Sequence, residues 1–276
     1  MQPPAGCASV SSPMHSLDDI SCLAAPQVQH AVVLLGRGGT GAASRQSLIA
    51  LAEALRPRLP SGCKLVAAFV DKAAPSLPEA LQQCMPARSI IVLPVFAPDE
   101  PALLRWLHKL AMRWRAAQAQ PDIQIRFADT LLNSSGLPPI LLQQIAQAAQ
   151  APDVAELVGE RWQNDPDAWS QVPEHQHHAL VCTGPRCTAL GALAVWQSLG
   201  DAVQARQKLR SRLRLLQTSC QYPCNHGPLA IVYPEGVWYG RLVADNVAQV
   251  IETHVLARQV CPEHHVHGPV ALPLGI

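Results

Sequence analysis

The sequence is poor in charge, in aromatic side chains and in long apolar runs. Only 15% of its 276 residues are charged, and the net charge at pH 7 is +1. This balance gives no electrostatic basis for binding nucleic acid or an anionic membrane. No apolar run reaches the roughly 18 residues that a membrane span needs. Residues 1–27 also lack the basic start and continuous apolar stretch of a signal peptide. We therefore expect a soluble, cytoplasmic protein.

Cysteine, by contrast, is abundant, and four of the nine cysteines lie in two short loops, Cys182-x4-Cys187 and Cys220-x3-Cys224. An odd cysteine count without an export signal favours reduced thiols and metal binding over a disulfide framework. Thiolates are soft ligands that suit iron–sulfur clusters and zinc. The spacings differ from the two-residue gaps of zinc ribbons and from the pattern of plant-type ferredoxins. A cluster, a zinc site and two disulfides therefore all remain open from the spacing alone.

The residues around these cysteines carry a more specific pattern. It consists of Cys182-Thr-Gly-Pro-Arg-Cys187, Cys220-Gln-Tyr-Pro-Cys224, Gly227-Pro228 and Val232-Tyr-Pro-Glu-Gly-Val-Trp-Tyr239. Residues 176–259 thereby resemble the thioredoxin-like 2Fe–2S ferredoxins. The resemblance implies that Cys182, Cys187, Cys220 and Cys224 ligate one 2Fe–2S cluster and that a redox protein is the partner.

The order of elements along the chain predicts two α/β domains. Strands alternate with helices before the linker, which indicates a parallel sheet with crossover helices. The predicted strands there are 30–35, 64–70, 89–96 and 123–128, and the helices are 42–55, 77–84, 101–119 and 138–150. After the linker we expect a strand at 178–181, a helix at 189–206, a strand at 213–217, a hairpin at 229–242 and a helix at 246–259.

These patterns divide the chain into five segments. They are a disordered leader (1–27), a chelatase-like α/β domain (28–158), a linker (159–177), a thioredoxin-like ferredoxin domain (178–260) and a histidine-containing tail (261–276).

A glycine loop follows the first predicted strand and has two possible explanations. Gly36-Arg-Gly-Gly-Thr-Gly41 matches the dinucleotide-binding fingerprint, and Asp71 closes the second strand where a ribose-binding acid would lie. Other segments, in the same order, resemble the small sirohydrochlorin cobalto- and ferrochelatases of the CbiX type. They are Ala31–Gly41, Val66–Asp71, Pro75–Leu81, Ile91–Phe96 and Gly136–Leu142.

The chelatase resemblance implies binding of a tetrapyrrole and of cobalt or iron as substrates, but the chain departs from the family's pattern. The family's loop histidine is replaced by Arg37, and Ala97-Pro-Asp-Glu-Pro101 lacks the second histidine. Arginine has no lone pair for a metal. We expect Arg37, Asp71 and Asp99 to line the cleft, with Glu100 nearby. A guanidinium there suits bidentate pairing with a tetrapyrrole carboxylate.

Three hypotheses of function therefore stand. The first is a divergent chelatase-like protein of cobalamin or sirohaem metabolism whose cluster is redox-active or regulatory. The second is an electron carrier whose first domain only docks a partner, and the third is a nucleotide-dependent oxidoreductase. A homodimer is plausible because short chelatases often pair two copies to complete a cleft. Histidines near the linker and tail, at His175, His177, His178, His264, His265 and His267, could form a metal-collecting patch.

Overall fold

The computed structural model describes residues 30–39, 41–98, 100–118, 122–158 and 165–272. The predicted leader, part of the linker and Asp99 lie outside these residues. Within them the chain forms two sheets, and no helix there is long and apolar enough to cross a membrane.

The first sheet is parallel, as the alternation of strands and helices predicts. Its strand order is β2-β1-β3-β4. The strands are β1 (His30–Gly36), β2 (Lys64–Phe69), β3 (Ser89–Pro94) and β4 (Gln124–Phe127). The helices are α1 (Ala42–Leu55), α2 (Leu77–Gln83), α3 (Pro101–Ala116), α4 (Leu137–Ala148) and the short α5 (Val154–Val158).

The central position of β1 in the parallel sheet follows from its sequence, because its apolar residues are buried on both faces. Val33 and Leu35 pack with α2 and α3 on one face, and Val32 and Leu34 pack with α1 on the other. A parallel sheet requires this double burial, since its crossover helices cover both faces. The strand order reverses at β1, so the switch point between β1 and β3 opens at the carboxyl edge of the sheet.

The second sheet is mixed and has the strand order β6-β5-β7-β8-β9. Its strands are β5 (His177–Cys182), β6 (Leu213–Thr218), β7 (Ala230–Tyr233), β8 (Val237–Tyr239) and β9 (His265–His267). Its helices are α6 (Pro185–Ala189), α7 (Ala192–Ala205), α8 (Gln207–Arg210) and α9 (Ala244–Val255). Strands β5 and β6 are parallel, whereas β7, β8 and β9 pair antiparallel. The α/β fold class predicted for both halves is confirmed.

Three sequence expectations are corrected here. The helix expected at 189–206 is α7, but it begins only at Ala192, because Gly191 adopts a left-handed φ of 92° that separates it from the unpredicted short helix α6. A side chain at that φ is strained, so glycine is the residue that permits the break. The last helix begins at Ala244 and ends at Val255, earlier than expected. The segment expected to be a tail contributes strand β9, whose His265 and His267 pair with Tyr239 and Trp238.

Candidate metal centre

The two cysteine loops meet because β5 and β6 are parallel neighbours. Cys182 is the last residue of β5 and lies opposite Thr218, the last residue of β6. Parallel strands end at the same edge of a sheet, so the loops that follow them leave side by side. The threonine backbone reinforces the junction, since the Thr183 N–H donates to the Thr218 carbonyl at 2.9 Å.

Two glycines allow the loops to approach each other. A Cβ on Gly184 would lie 2.9 Å from the Cα of Cys220. A Cβ on Gly227 would lie 2.9 Å from the Sγ of Cys187. Side chains at these two positions would push the two loops apart or block a sulfur, so both glycines are required by close packing.

The four sulfurs form two pairs. Cys220 Sγ and Cys224 Sγ are 3.4 Å apart, and the Cys182 and Cys187 thiols share a hydrogen bond. All four are free thiols. A single tetrahedral zinc with bonds of about 2.3 Å would hold every sulfur about 3.8 Å from the others. Among the described residues, no three cysteine sulfurs lie within 4.8 Å of one another. The arrangement therefore fits two metal ions, one per pair, better than one.

The thiols differ in acidity. The hydrogen bond from Cys187 lowers the pKa of Cys182 to about 6 against the effect of burial, with help from the N–H groups of Gly184 and Gln221. The same bond, with burial, raises the pKa of Cys187. Burial also raises the pKa of Cys224, although Arg186 acts in the opposite direction. Cys182 is thus more acidic than Cys187 and Cys224, and metal binding must displace protons from those two thiols.

The immediate surroundings of the sulfurs are partly apolar. Cys182 and Cys187 are buried together with Ala192 and Leu229. Two tyrosines of the cysteine-flanking motifs do not shield the sulfurs from water. Tyr222 is 72% exposed, and Tyr239 lies in the core of the domain. Leu229 is a contribution that the sequence analysis missed; its place directly after Gly227-Pro228 is the only signal.

A buried network of ionisable side chains lies elsewhere in the same domain. Glu235 Oε2 is 3.3 Å from His177 Nδ1 and 3.2 Å from His254 Nε2, and Glu235 Oε1 accepts from Arg258 at 2.5 Å. Tyr239 Oη contacts the other nitrogen of His254 at 2.7 Å. His177 is therefore turned into the domain and tied to Glu235.

Burial favours a raised pKa for Glu235, but hydrogen bonds from its own N–H, His254 and Arg258 outweigh it and lower that pKa to about 2. Burial also lowers the pKa of His254. The network thus holds a carboxylate charge opposite Arg258, with His254 neutral near pH 7. It joins the start of β5, the turn between β7 and β8, and α9.

At the switch point of the first domain, an arginine pairs with two carboxylates. Arg37 follows β1, and its Nη2 and Nε atoms contact the Asp71 carboxylate at 2.7 and 3.3 Å. Its Nη1 atom contacts Glu100 Oε1 at 2.5 Å, across the switch point between β1 and β3. Asp71 is almost fully buried, with 4% of its side chain exposed, whereas Glu100 is 47% exposed. The predicted pair Arg37 and Asp71 is thus brought together, and both carboxylates already have Arg37 as an ion-pair partner.

The glycine loop has a packing explanation of its own. A Cβ on Gly38 would lie 1.8 Å from the Asp71 carbonyl oxygen, and the Gly38 N–H also points at the Asp71 carboxylate, 3.3 Å away. The glycine is needed because the loop crosses the end of β2. Asp71, which the dinucleotide hypothesis assigns to a ribose, is instead occupied by Arg37 and the loop.

Comparison with known proteins gives two groups of relatives. The sequence model of the CbiX family matches residues 31–148. A 2Fe–2S ferredoxin from Clostridium pasteurianum is 33% identical over 88 residues, which is 29% of this chain and 85% of that protein. A 2Fe–2S ferredoxin from Aquifex aeolicus is 30% identical over 86 residues, covering 28% of this chain and 78% of the relative.

Two solved structures are also similar. The thioredoxin-like [2Fe-2S] ferredoxin from Aquifex aeolicus has 26% identity and a TM-score of 0.33, covering 34% of this chain and 98% of that one. A putative cobalamin biosynthesis CbiX protein from Marinobacter aquaeolei has 19% identity and a TM-score of 0.38, covering 44% and 98%.

The buried network predicts a specific loss of stability in acid. Because the pKa of Glu235 is depressed in the folded state, its contribution is complete above pH ~4.5 and disappears as the pH falls toward 2. The Glu235→Gln variant should be less stable than wild type at pH 6, by up to about 3 kcal/mol, and the difference should shrink toward pH 2. Urea unfolding of both proteins at each pH measures this.

Glu263→Gln is the control, because Glu263 is exposed in the same domain. It should follow wild type at every pH. A difference between wild type and Glu235→Gln that stays constant from pH 6 to pH 2 would show that Glu235 does not carry the acid sensitivity.

Proposed function

The chain belongs to the 2Fe–2S ferredoxin family through its second domain and carries a CbiX-type domain ahead of it; on this basis we propose that it is a one-electron carrier acting with a tetrapyrrole held by the first domain. The observation that supports this most is the convergence of two cysteine pairs at one edge of a sheet.

The residues of the second domain fit a 2Fe–2S cluster. Cys182 and Cys187 would hold one iron, and Cys220 and Cys224 the other, since each pair is close enough to share a metal. When bound, such a cluster accepts and gives up one electron at a time. The chain itself supplies the thiolates, excludes water on the Ala192 and Leu229 side, and places a cation near Cys224. The described cysteines are free thiols, which fits the reducing cytoplasm.

The first domain favours ligand holding over metal insertion. Insertion needs a donor that releases the metal and a base that accepts pyrrole protons. Here Arg37 pairs with both Asp71 and Glu100 and itself offers no lone pair to a metal. A carboxylate-rimmed tetrapyrrole can instead replace the exposed Glu100 as the partner of Arg37, while buried Asp71 keeps the guanidinium oriented. Docking of the redox partner protein on this domain is the alternative.

A second copy of the chain is the partner that helix α4 fits. None of the residues of α4 is buried. Its apolar side chains Leu141, Leu142 and Ile145 are 50%, 67% and 66% exposed. An exposed apolar helix face of this kind marks an interaction site. No charged residue stands between Asp129 and Asp153 in the sequence. Two uncharged copies of α4 can pack against each other without ionic complementarity, so we propose a symmetric homodimer through this helix.

The cluster assignment is tested by anaerobic purification with iron and sulfide counted. Wild type should hold two irons and two sulfides per chain, absorb in the visible, and give an EPR signal after reduction. Replacing any one of Cys182, Cys187, Cys220 or Cys224 by Ala should abolish or destabilise this centre. Cys261→Ala is the matched control in the same domain and should keep full content. A colourless wild type, or equal loss in Cys261→Ala, would contradict the assignment.

The ligand assignment is tested by titrating sirohydrochlorin and following tryptophan fluorescence. Arg37→Met should weaken binding about tenfold, because a charge-assisted bidentate contact is lost. Glu100→Gln should strengthen binding, because it removes the carboxylate that competes for Arg37. Added cobalt should enter the macrocycle no faster than without protein. If sirohydrochlorin quenches the tryptophan fluorescence of neither wild type nor the variants, the first domain is a docking surface. If cobalt enters the macrocycle faster with the protein than without it, the domain is a chelatase.

The homodimer is tested by sedimentation velocity at micromolar concentration. Ile145→Asp and Leu142→Asp should convert the dimer to a monomer, because each places a charge in an apolar interface. Gln143→Asp adds the same charge on the opposite side of α4 and should leave the dimer intact. A monomeric wild type, or equal dissociation by Gln143→Asp, would exclude this interface.

A further inference from the structure

Arg186 contacts both halves of the chain. It lies in the first cysteine loop, yet its Nη1 atom is 3.9 Å from the Sγ of Cys224 in the second loop. Its guanidinium carbon is also 5.5 Å from the ring centroid of Trp106, a residue of α3 in the first domain. One cation therefore stands between a proposed cluster ligand and an aromatic ring of the other domain.

Trp106 connects the contact with Arg186 to the residues at the switch point of the first domain. It is partly buried against the core of the first domain, so the position of its ring depends on the packing of helix α3. The same helix begins directly after Glu100, which pairs with Arg37 at the switch point. A change in the partners of Glu100 therefore acts at the amino end of the helix that holds Trp106.

The charge of Arg186 has a definite effect on a redox centre. A guanidinium keeps its proton at all ordinary pH values. Reduction adds one negative charge to the centre, and a hydrogen bond or positive charge at a ligand sulfur stabilises that form more than the oxidised form. A cation held at Cys224 thus raises the reduction potential. A planar guanidinium also packs on an aromatic ring, which fixes where the charge lies.

We propose that Arg186 raises the reduction potential of the cluster and that Trp106 is the positioning residue that holds Arg186 in place. The CbiX-type domain thereby regulates the redox centre of the ferredoxin domain. This inference rests on the proposed function, because it needs a cluster at the four cysteines. By linkage the effect is reciprocal: a ligand that shifts α3 changes the potential, and reduction changes the affinity for that ligand by the same factor.

The test is the midpoint potential of the full-length, cluster-loaded protein, measured by spectroelectrochemical titration with iron and sulfide counted in each sample. Arg186→Gln should lower the potential, because the charge is lost. Trp106→Leu should lower it by a smaller amount, because the charge remains but is no longer held at the sulfur. Arg186→Lys should fall between wild type and Arg186→Gln, since an ammonium keeps the charge without the planar contact.

The double variant shows whether the two residues act together. If Trp106 acts only through Arg186, adding Trp106→Leu to Arg186→Gln should cause no further shift. Trp114→Leu is the matched control, because Trp114 is a second partly buried tryptophan of α3. It should leave the potential unchanged.

The outcomes separate this inference from the proposed function. If wild type holds no cluster, the proposed function fails. If wild type holds a cluster and Trp106→Leu leaves its potential and EPR g-values unchanged, only the regulatory contact is refuted. The regulatory contact is also refuted if Trp106→Leu and Trp114→Leu shift the potential equally. It is refuted as well if the shift of the double variant equals the sum of the shifts of Trp106→Leu and Arg186→Gln.

Discussion

The parallel pairing of β5 and β6 is the constraint on which the candidate metal centre depends. It brings the end of β5, at Cys182, beside the end of β6, from which the loop to Cys220 and Cys224 departs. The hydrogen bonds that join the strands therefore determine the distance between the two cysteine pairs. Gly184 then removes the Cβ that would hold the loops apart. The sheet itself therefore brings the two cysteine pairs to the same edge.

The first domain uses the same edge of its sheet for different chemistry. A switch point between parallel strands is where α/β proteins bind ligands, because the loops there diverge and leave a crevice. In this chain the crevice is bridged by Arg37, which pairs with buried Asp71 and with exposed Glu100. A ligand carboxylate could therefore bind Arg37 only by displacing Glu100. In the proposed function the two domains have different roles, with the metal chemistry at the cysteines and ligand recognition at Arg37.

Much of the fold was predictable from the sequence, and the failures have physical causes. The alternation of apolar strands and helices predicted the parallel sheet, because double burial leaves a clear pattern in β1 and β3. The short helix α6 and the exact start of α7 were missed, because only the backbone φ of Gly191 shows where one helix ends and the next begins. The ion pairs of Arg37 and the contact of Arg186 with Trp106 join residues far apart in sequence. Periodicity carries no information about such contacts.

In the proposed mechanism electron transfer and ligand binding are coupled, because Arg186 contacts both Cys224 and Trp106 of α3. A shift of α3 would then move the charge at the sulfur, and a change of charge at the sulfur would act on α3. A fused chain makes this coupling independent of concentration, because the two domains never separate. Two free proteins would have to associate for each event, and the potential would then depend on how often they meet. Fusion of a ferredoxin to a ligand-binding domain is therefore most useful where the redox centre must respond to an occupied cleft.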